Sequence, residues 1–301
     1  MHGAFVSVPA TSANLGPGFD ALGMALDMAL EIEMLVADAD RVADAVPETP
    51  PPGRNLIFQA AEAAFAAAGR ERPPISIATR ASVPLARGLG SSAAAVVAGL
   101  VGANVLLGEA LGADTLLSLA TQIEGHPDNV APALLGGLTA AASGPGGQIS
   151  AARVPLHPAI REAVGLVAIV PRVKLATAAA RAALPASVPF GDATFNVART
   201  GLLVAALAGG RPDLLAGALR DRLHQPYRAP LVPGMARMLE LGTELGALAV
   251  TISGAGPTLL AWCPRARRAE IGNALAAAWE VGAEARLVEI AESGATARPL
   301  I

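Results

Sequence analysis

The stretch PLARGLGSSAAAVVAGL, residues 84–100, places the cluster GLGSS between a proline and an Ala-rich apolar run. Glycine permits backbone conformations and close approaches that side chains forbid. A glycine loop running straight into a helix presents several amides that lack intrahelical partners, together with the positive end of the helix dipole. That combination is an anion cradle suited to phosphate. Ser91 and Ser92 add hydroxyls able to hydrogen-bond phosphate oxygens or to ligate Mg2+. Three further clusters carry polar groups in glycine-rich settings: SANLGPGFD (12–20), EGHPDN (124–129) and SGAGPT (253–258).

Taken alone, the stretch also has a plain reading, a glycine turn before a core helix. A P-loop would need a lysine after its last glycine, and none is present. GLGSSA fits the dinucleotide pattern G-x-G-x-x-A, with Glu109 roughly 20 residues further on, as that fingerprint expects. The fingerprint needs a strand ending at the first glycine, however, and Pro84 and Arg87 interrupt the approach. An NAD-dependent oxidoreductase is therefore the weaker alternative. A non-catalytic nucleotide-binding protein is another.

The elements that must position these groups belong to a chain of 301 residues, 53% hydrophobic and 3% aromatic, enough for one large domain or two modest ones with Ala, Leu and Val cores. The net charge of −3 gives no general attraction to nucleic acid or to an anionic membrane. The single cysteine, Cys263, excludes an intramolecular disulfide, and His2, His126, His157 and His224 do not fall at metal-ligand spacing. No signal-peptide pattern opens the sequence, and a reducing cytoplasm is expected. Three stretches without a charged residue reach membrane-spanning length: 88–108, 129–152 and 245–264. Polar clusters, prolines or glycines interrupt each, so they are expected to be buried elements rather than spans.

Alternation predicts strands at 4–8, 31–38 and 74–81, with a loop from Pro9 to Gly23 and a proline-rich surface segment over 38–55. Helices are expected at 55–70, 91–107 and 114–122, then a strand at GGLTAAA and a turn at SGPGGQ. Near residue 150 the pattern restarts with a buried strand at 164–171. Helices follow at 176–183, at 194–208 (capped by Asp192 or Thr194), at 212–223 and at 231–245. A strand–turn–strand around SGAGPT, a helix and a last strand at AEARLVEIA complete an α+β chain of two packed halves, 1–150 and 151–301.

The glycine stretch with its proline resembles the phosphate-binding motif of the GHMP small-molecule kinases. VPATSANLGPGFDALGMAL (8–26) resembles that superfamily's first motif and SGAGPT its third. The first motif and EGHPDNVAPALLGG (124–137) take the form seen in the homoserine-phosphorylating branch. The matches span most of the chain in the family's order. The resemblance implies a two-domain fold, an N-terminal domain like ribosomal protein S5 domain 2 and a C-terminal ferredoxin-like domain, with the active site between them. It implies ATP and Mg2+ as cofactors, L-homoserine as substrate, O-phospho-L-homoserine as product, and a homodimer.

Residue by residue, the resemblance gives the triphosphate to the cradle Pro84, Leu85, Ala86, Arg87, Gly88, Leu89, Gly90, Ser91, Ser92, Ala93 and Ala94. It gives Mg2+ to Ser92 and Glu124, although the compact EGHPDN form makes the second assignment depend on how a gap is placed. The substrate carboxylate falls to Arg181 and Arg228, its ammonium to Asp20, and the reacting hydroxyl to Asn14. Thr177, His126, Gly254, Gly256 and Thr258 are implied substrate neighbours, and Asn55 is expected to border the adenine or simply to cap a helix. Asp128 is open to two roles, general base or, with Asn129, orientation of the alcohol; orientation is favoured.

Overall fold

The computed structural model describes residues 2–44 and 50–300; residues 45–49, in the expected proline-rich segment, lie outside them. In chain order the elements are β1 (Gly3–Ala13), β2 (Leu22–Val36), β3 (Arg41–Val42), α1 (Leu56–Ala67), β4 (Ile75–Ala81), α2 (Ser91–Leu106), α3 (Ala113–Glu124), α4 (Pro127–Leu135), β5 (Leu138–Ser143) and β6 (Ile149–Val154). There follow α5 (Pro158–Ala163), β7 (Val164–Pro171), α6 (Thr177–Ala182), α7 (Phe190–Gly209), α8 (Leu215–Ala218), α9 (Gln225–Arg228), α10 (Met235–Glu244), β8 (Ala249–Ile252), β9 (Leu259–Pro264), α11 (Arg268–Ala278), β10 (Ala283–Val288) and β11 (Thr296–Leu300).

The first sheet runs β11-β1-β2-β4-β3, with β5 on the start of β2 and β6 on β5. Helices α1 to α4 cover it. α2 is apolar almost all round, which suits a helix buried on every side, and its Ala and Val residues form the centre of that core. The second sheet, β10-β7-β9-β8, is antiparallel throughout. Numbered within itself that order is 4-1-3-2, the ferredoxin-like arrangement. All eight residues of β7 are buried. The strand period of two sends Val164, Leu166, Ala168 and Val170 to a core shared with Leu22, Met24 and Leu138 of the first sheet, and Val167 and Ile169 to the far face.

Several expectations need correction. The loop expected at 9–23 is strand at both its ends: Pro9–Ala13 pair with Ala29 and with Leu26 to Gly23, leaving the connection over 14–21. Its small Ala, Thr and Ser side chains hide the strand because they carry no hydrophobic alternation. α7 begins at Phe190 with Pro189 at its cap, and Thr194 Oγ1 donates back to the Gly191 carbonyl from inside the helix. The helix expected at 212–223 stops at Ala218. There the Asp221 carboxylate accepts the amides of Leu223, His224 and Gln225 at 3.0, 3.1 and 2.7 Å, a local alternative to helical bonding. β11, unexpected from the sequence, pairs antiparallel with β1. A division at residue 150 falls inside β6, and β11 belongs to the first sheet despite its place in the second half. Among the described residues no helix is long and apolar enough to cross a membrane.

Candidate active site

A cavity of about 850 Å³ opens between the two sheets and collects most of the groups singled out above. Its floor is the loop leading into α2. Gly90 caps α2 with a left-handed backbone (φ 68°), and a Cβ there would lie 1.8 Å from Thr11 Oγ1. Gly88 (φ 80°) lies against the SGAGPT turn, where a Cβ would meet the Ser253 and Gly256 carbonyls at 2.5 and 2.6 Å. Both positions thus require glycine, and the loop brings the first-turn amides of α2 to the cavity. Ser253 Oγ bonds the Gly88 carbonyl (2.6 Å) and Ser12 Oγ (2.8 Å), tying the three glycine-rich clusters together. Leu85, Ala86, Gly88, Gly90, Ser91 and Ser92 line the cavity. Ser91 Oγ also accepts the Ala86 amide, shaping the loop.

Other members of the expected cradle do not face the cavity. Leu89, Ala93 and Ala94 are wholly buried, the alanines on the core side of α2. Pro84 shapes the approach, and Arg87 reaches across to donate Nη2 to the Arg172 carbonyl. Asn55 caps α1, its side chain accepting the Ile57 amide at 3.0 Å, and it also lines the cavity.

Beside the cradle, Ser92 Oγ donates to Glu124 Oε2 at 2.5 Å, although the residues stand on different helices. Burial raises the Glu124 pKa, against a lowering by Ser92 and His126. Two hard oxygen ligands converge here, a set that fits Mg2+. His126 Nδ1 bonds Asp128 Oδ1 closely. Burial disfavours the charged imidazole, but the Asp128 carboxylate outweighs it and the His126 pKa is raised. Thr11 Oγ1 donates to Asn129 Oδ1 at 2.7 Å, fixing that amide in the wall.

At the far end, Arg181 on α6 forms a two-pronged ion pair with Asp20, at 3.0 and 2.8 Å. Thr177 opens the same helix and lines the cavity. Arg228 is 2% exposed, yet its hydrogen bonds among the described residues go to neutral acceptors: the Ala180 carbonyl, the Gly254 carbonyl and His224 Nδ1. Burial and the neighbouring Arg181 both push its pKa down. A buried cation without an acid directly bonded to it is costly unless an anion arrives. Asn14 Nδ2 donates to the Gly254 carbonyl and its Oδ1 accepts the Asp20 amide, so this side chain staples the first cluster to the third. Thr258 does not reach the cavity: it is wholly buried behind the turn, its hydroxyl without a partner among the described residues.

Residues that sequence reasoning passed over hold the first cluster in place. Asn196 and Thr200 on α7 donate to the Pro17 carbonyl (3.1 and 2.9 Å), and His224 bonds the Gly16 carbonyl (2.7 Å). Phe19 stacks on His224 and lies under the guanidinium groups of both Arg181 and Arg228. The spacing of His224 and Arg228, four residues apart, was a usable signal for a shared helical face. Nothing local marks Asn196, whose partner lies 179 residues away.

Residues 55–137 match the family described as GHMP kinases N terminal domain, and residues 203–281 match GHMP kinases C terminal. A homoserine kinase of Moorella thermoacetica is 48% identical over 91% of this chain and 92% of its own length. One from Synechococcus sp. (strain CC9311) is 42% identical over 98% and 95%. The crystal structure of a homoserine kinase from Cytophaga hutchinsonii superposes with a TM-score of 0.86 at 28% identity, covering 99% of this chain and 98% of that one.

Proposed function

The chain belongs to the GHMP kinases, among the homoserine kinases, and from that premise we propose that it moves the γ-phosphoryl group of ATP to the terminal hydroxyl of L-homoserine. The products are ADP and O-phospho-L-homoserine, on the route to threonine. The observation that carries this reading is Arg228, a buried cation bonded to neutral acceptors, in a cavity that also contains an anion cradle. With Arg181 it offers two planar guanidinium groups for a carboxylate, and Asp20 beside them offers an acid for an ammonium. A zwitterion with a distal hydroxyl fits that end, and a triphosphate the other.

Phosphoryl transfer needs positioning and charge neutralisation more than covalent help. The α2 amides and the Ser91 hydroxyl would receive the phosphate oxygens. Ser92 and Glu124 would hold Mg2+, which supplies neutralisation of phosphate charge when bound. The new bond joins the homoserine oxygen to phosphorus as the bond to ADP breaks. Asp128 Oδ1 already receives His126 Nδ1, which supports the role of Asp128 and Asn129 in aiming the hydroxyl, its proton leaving with the phosphoryl group. Asn14 would stand beside that oxygen. Gly254 would contribute to substrate placement through its contacts with Asn14 and Arg228. The same reading includes a cytoplasmic homodimer, checked by sedimentation equilibrium.

The test is ADP release by purified protein with Mg·ATP, with 31P NMR of the product. Release should depend on L-homoserine and yield a phosphate monoester. Turnover with mevalonate or a sugar but not with homoserine would overturn the assignment.

A further inference from the structure

His224 is wholly buried. Its Nε2 faces two oxygen acceptors, the Gly16 carbonyl at 2.7 Å and Asp221 Oδ2 at 3.7 Å. Its Nδ1 faces Nη1 of Arg228 at 3.3 Å, a nitrogen that can only donate. The neighbours therefore fix the tautomer: Nε2 carries the hydrogen and Nδ1 is bare. A proton on Nδ1 would set two donors against each other. Burial lowers the His224 pKa, with Arg228 acting the same way and Asp221, Gly16 and Asp20 opposing, so the ring is kept neutral.

The Arg228 guanidinium is correspondingly constrained. Nε donates to the Ala180 carbonyl at 3.4 Å, and Nη1 has two hydrogens for two acceptors, His224 Nδ1 and the Gly254 carbonyl at 3.0 Å. Phe19 stacks on the His224 ring (centroids 5.3 Å apart) and carries the guanidinium on its face at 5.2 Å. Nη2 has no hydrogen-bond partner among the described residues, and Arg228 lines the cavity. A guanidinium on a flexible stem has many orientations, and fixing one in advance lowers the cost of binding a planar anion.

Resting on the reading that Arg228 receives the homoserine carboxylate, we propose that His224 is a positioning residue for substrate: its bare Nδ1 orients Arg228, and its Nε2–H anchors that assembly to the Gly16 carbonyl. The two nitrogens do separable work. The Nδ1 contact governs amino-acid affinity, and the Nε2 contact serves the fold of the SANLGPGFD loop.

The test compares two conservative variants. An asparagine oxygen can stand near the Nδ1 position, so His224→Asn keeps an acceptor for Arg228 and gives up the bond to Gly16. A glutamine amide nitrogen can stand near the Nε2 position, so His224→Gln keeps the donor to Gly16 and gives up the acceptor. With a charge-assisted hydrogen bond at stake, His224→Gln should raise KM for homoserine about tenfold, with kcat and KM for ATP within about twofold of the parent, while His224→Asn stays within about threefold on all three. Equal losses in both variants, a larger loss in His224→Asn, or a parallel rise in KM for ATP would overturn the proposal. Imidazole 15N NMR of the unmodified protein decides the matter should neither variant fold. Protonated Nε2 with bare Nδ1 at neutral pH is expected, and a proton on Nδ1 would refute it. Lack of homoserine-dependent turnover in the parent counts instead against the kinase reading, and the NMR result still stands on its own.

Discussion

Arg181 and Asp20 now satisfy each other, each about one-third exposed. On the proposed reading an amino acid enters by exchange: its ammonium takes Asp20, its carboxylate takes Arg181, and no charge is left alone. A compound with only one of those charges would strand a partner. Arg181→Ala should accordingly raise KM for homoserine about 10- to 100-fold, with KM for ATP nearly unchanged, in steady-state kinetics. Unchanged homoserine kinetics would remove this arginine from the substrate site. Glu124 gives a pH prediction. Its pKa is raised by burial, and only the carboxylate form binds a divalent cation, so protons compete as pH falls through that raised value. Calorimetry of Mg·ADP binding should show affinity weakening with falling pH above the ordinary carboxylate range, and Glu124→Gln should bind weakly at every pH. Asp20 and Glu124 were legible because each lies within a short glycine-marked cluster, whereas Arg181 was singled out only by the family resemblance. His224, Asn196 and Phe19 were not, since their roles depend on partners brought together only by the fold.

Among the elements, α2 and its loop are the most exacting. The GLGSS cluster and the Ala run announced both a tight turn and a buried helix, and α2 runs Ser91–Leu106 against an expected 91–107. The end of β1 was hidden for the opposite reason, a lack of hydrophobic alternation from Pro9 to Ala13. Tertiary pairing, visible in the Ala13 to Gly23 register, decides those residues. Gly88→Ala tests the packing of loop against turn. Its φ of 80° is unfavourable for an L residue, and its Cβ would press on two backbone carbonyls that cannot rotate away. A stability loss of about 2 kcal/mol or more is expected in urea melts, with a rise in KM for ATP. Native stability and unchanged ATP kinetics would show the contact to be slack.

For the whole molecule, the strand–helix pattern gave an α+β chain of two halves and the family resemblance made the second ferredoxin-like, whereas neither foretold the return of β11 to β1. The five residues TARPL, after the short connection from Val288 to Thr296, gave no local sign of pairing. Because β11 and β1 belong to opposite ends of the described chain and one core spans both sheets, fragments 1–150 and 151–301 should each fail to give a dispersed NMR spectrum alone. A folded fragment in isolation would contradict that. The shared core has a further consequence. Leu22, Met24 and Leu138 pack in one cluster with Leu166 and Trp262, and close-packed interiors do not slide without opening voids. Ligands therefore meet walls already set at their working separation. Small-angle scattering should give the same radius of gyration with and without nucleotide, any gating being left to side chains and short loops at the rim rather than to a jaw-like swing of one lobe against the other.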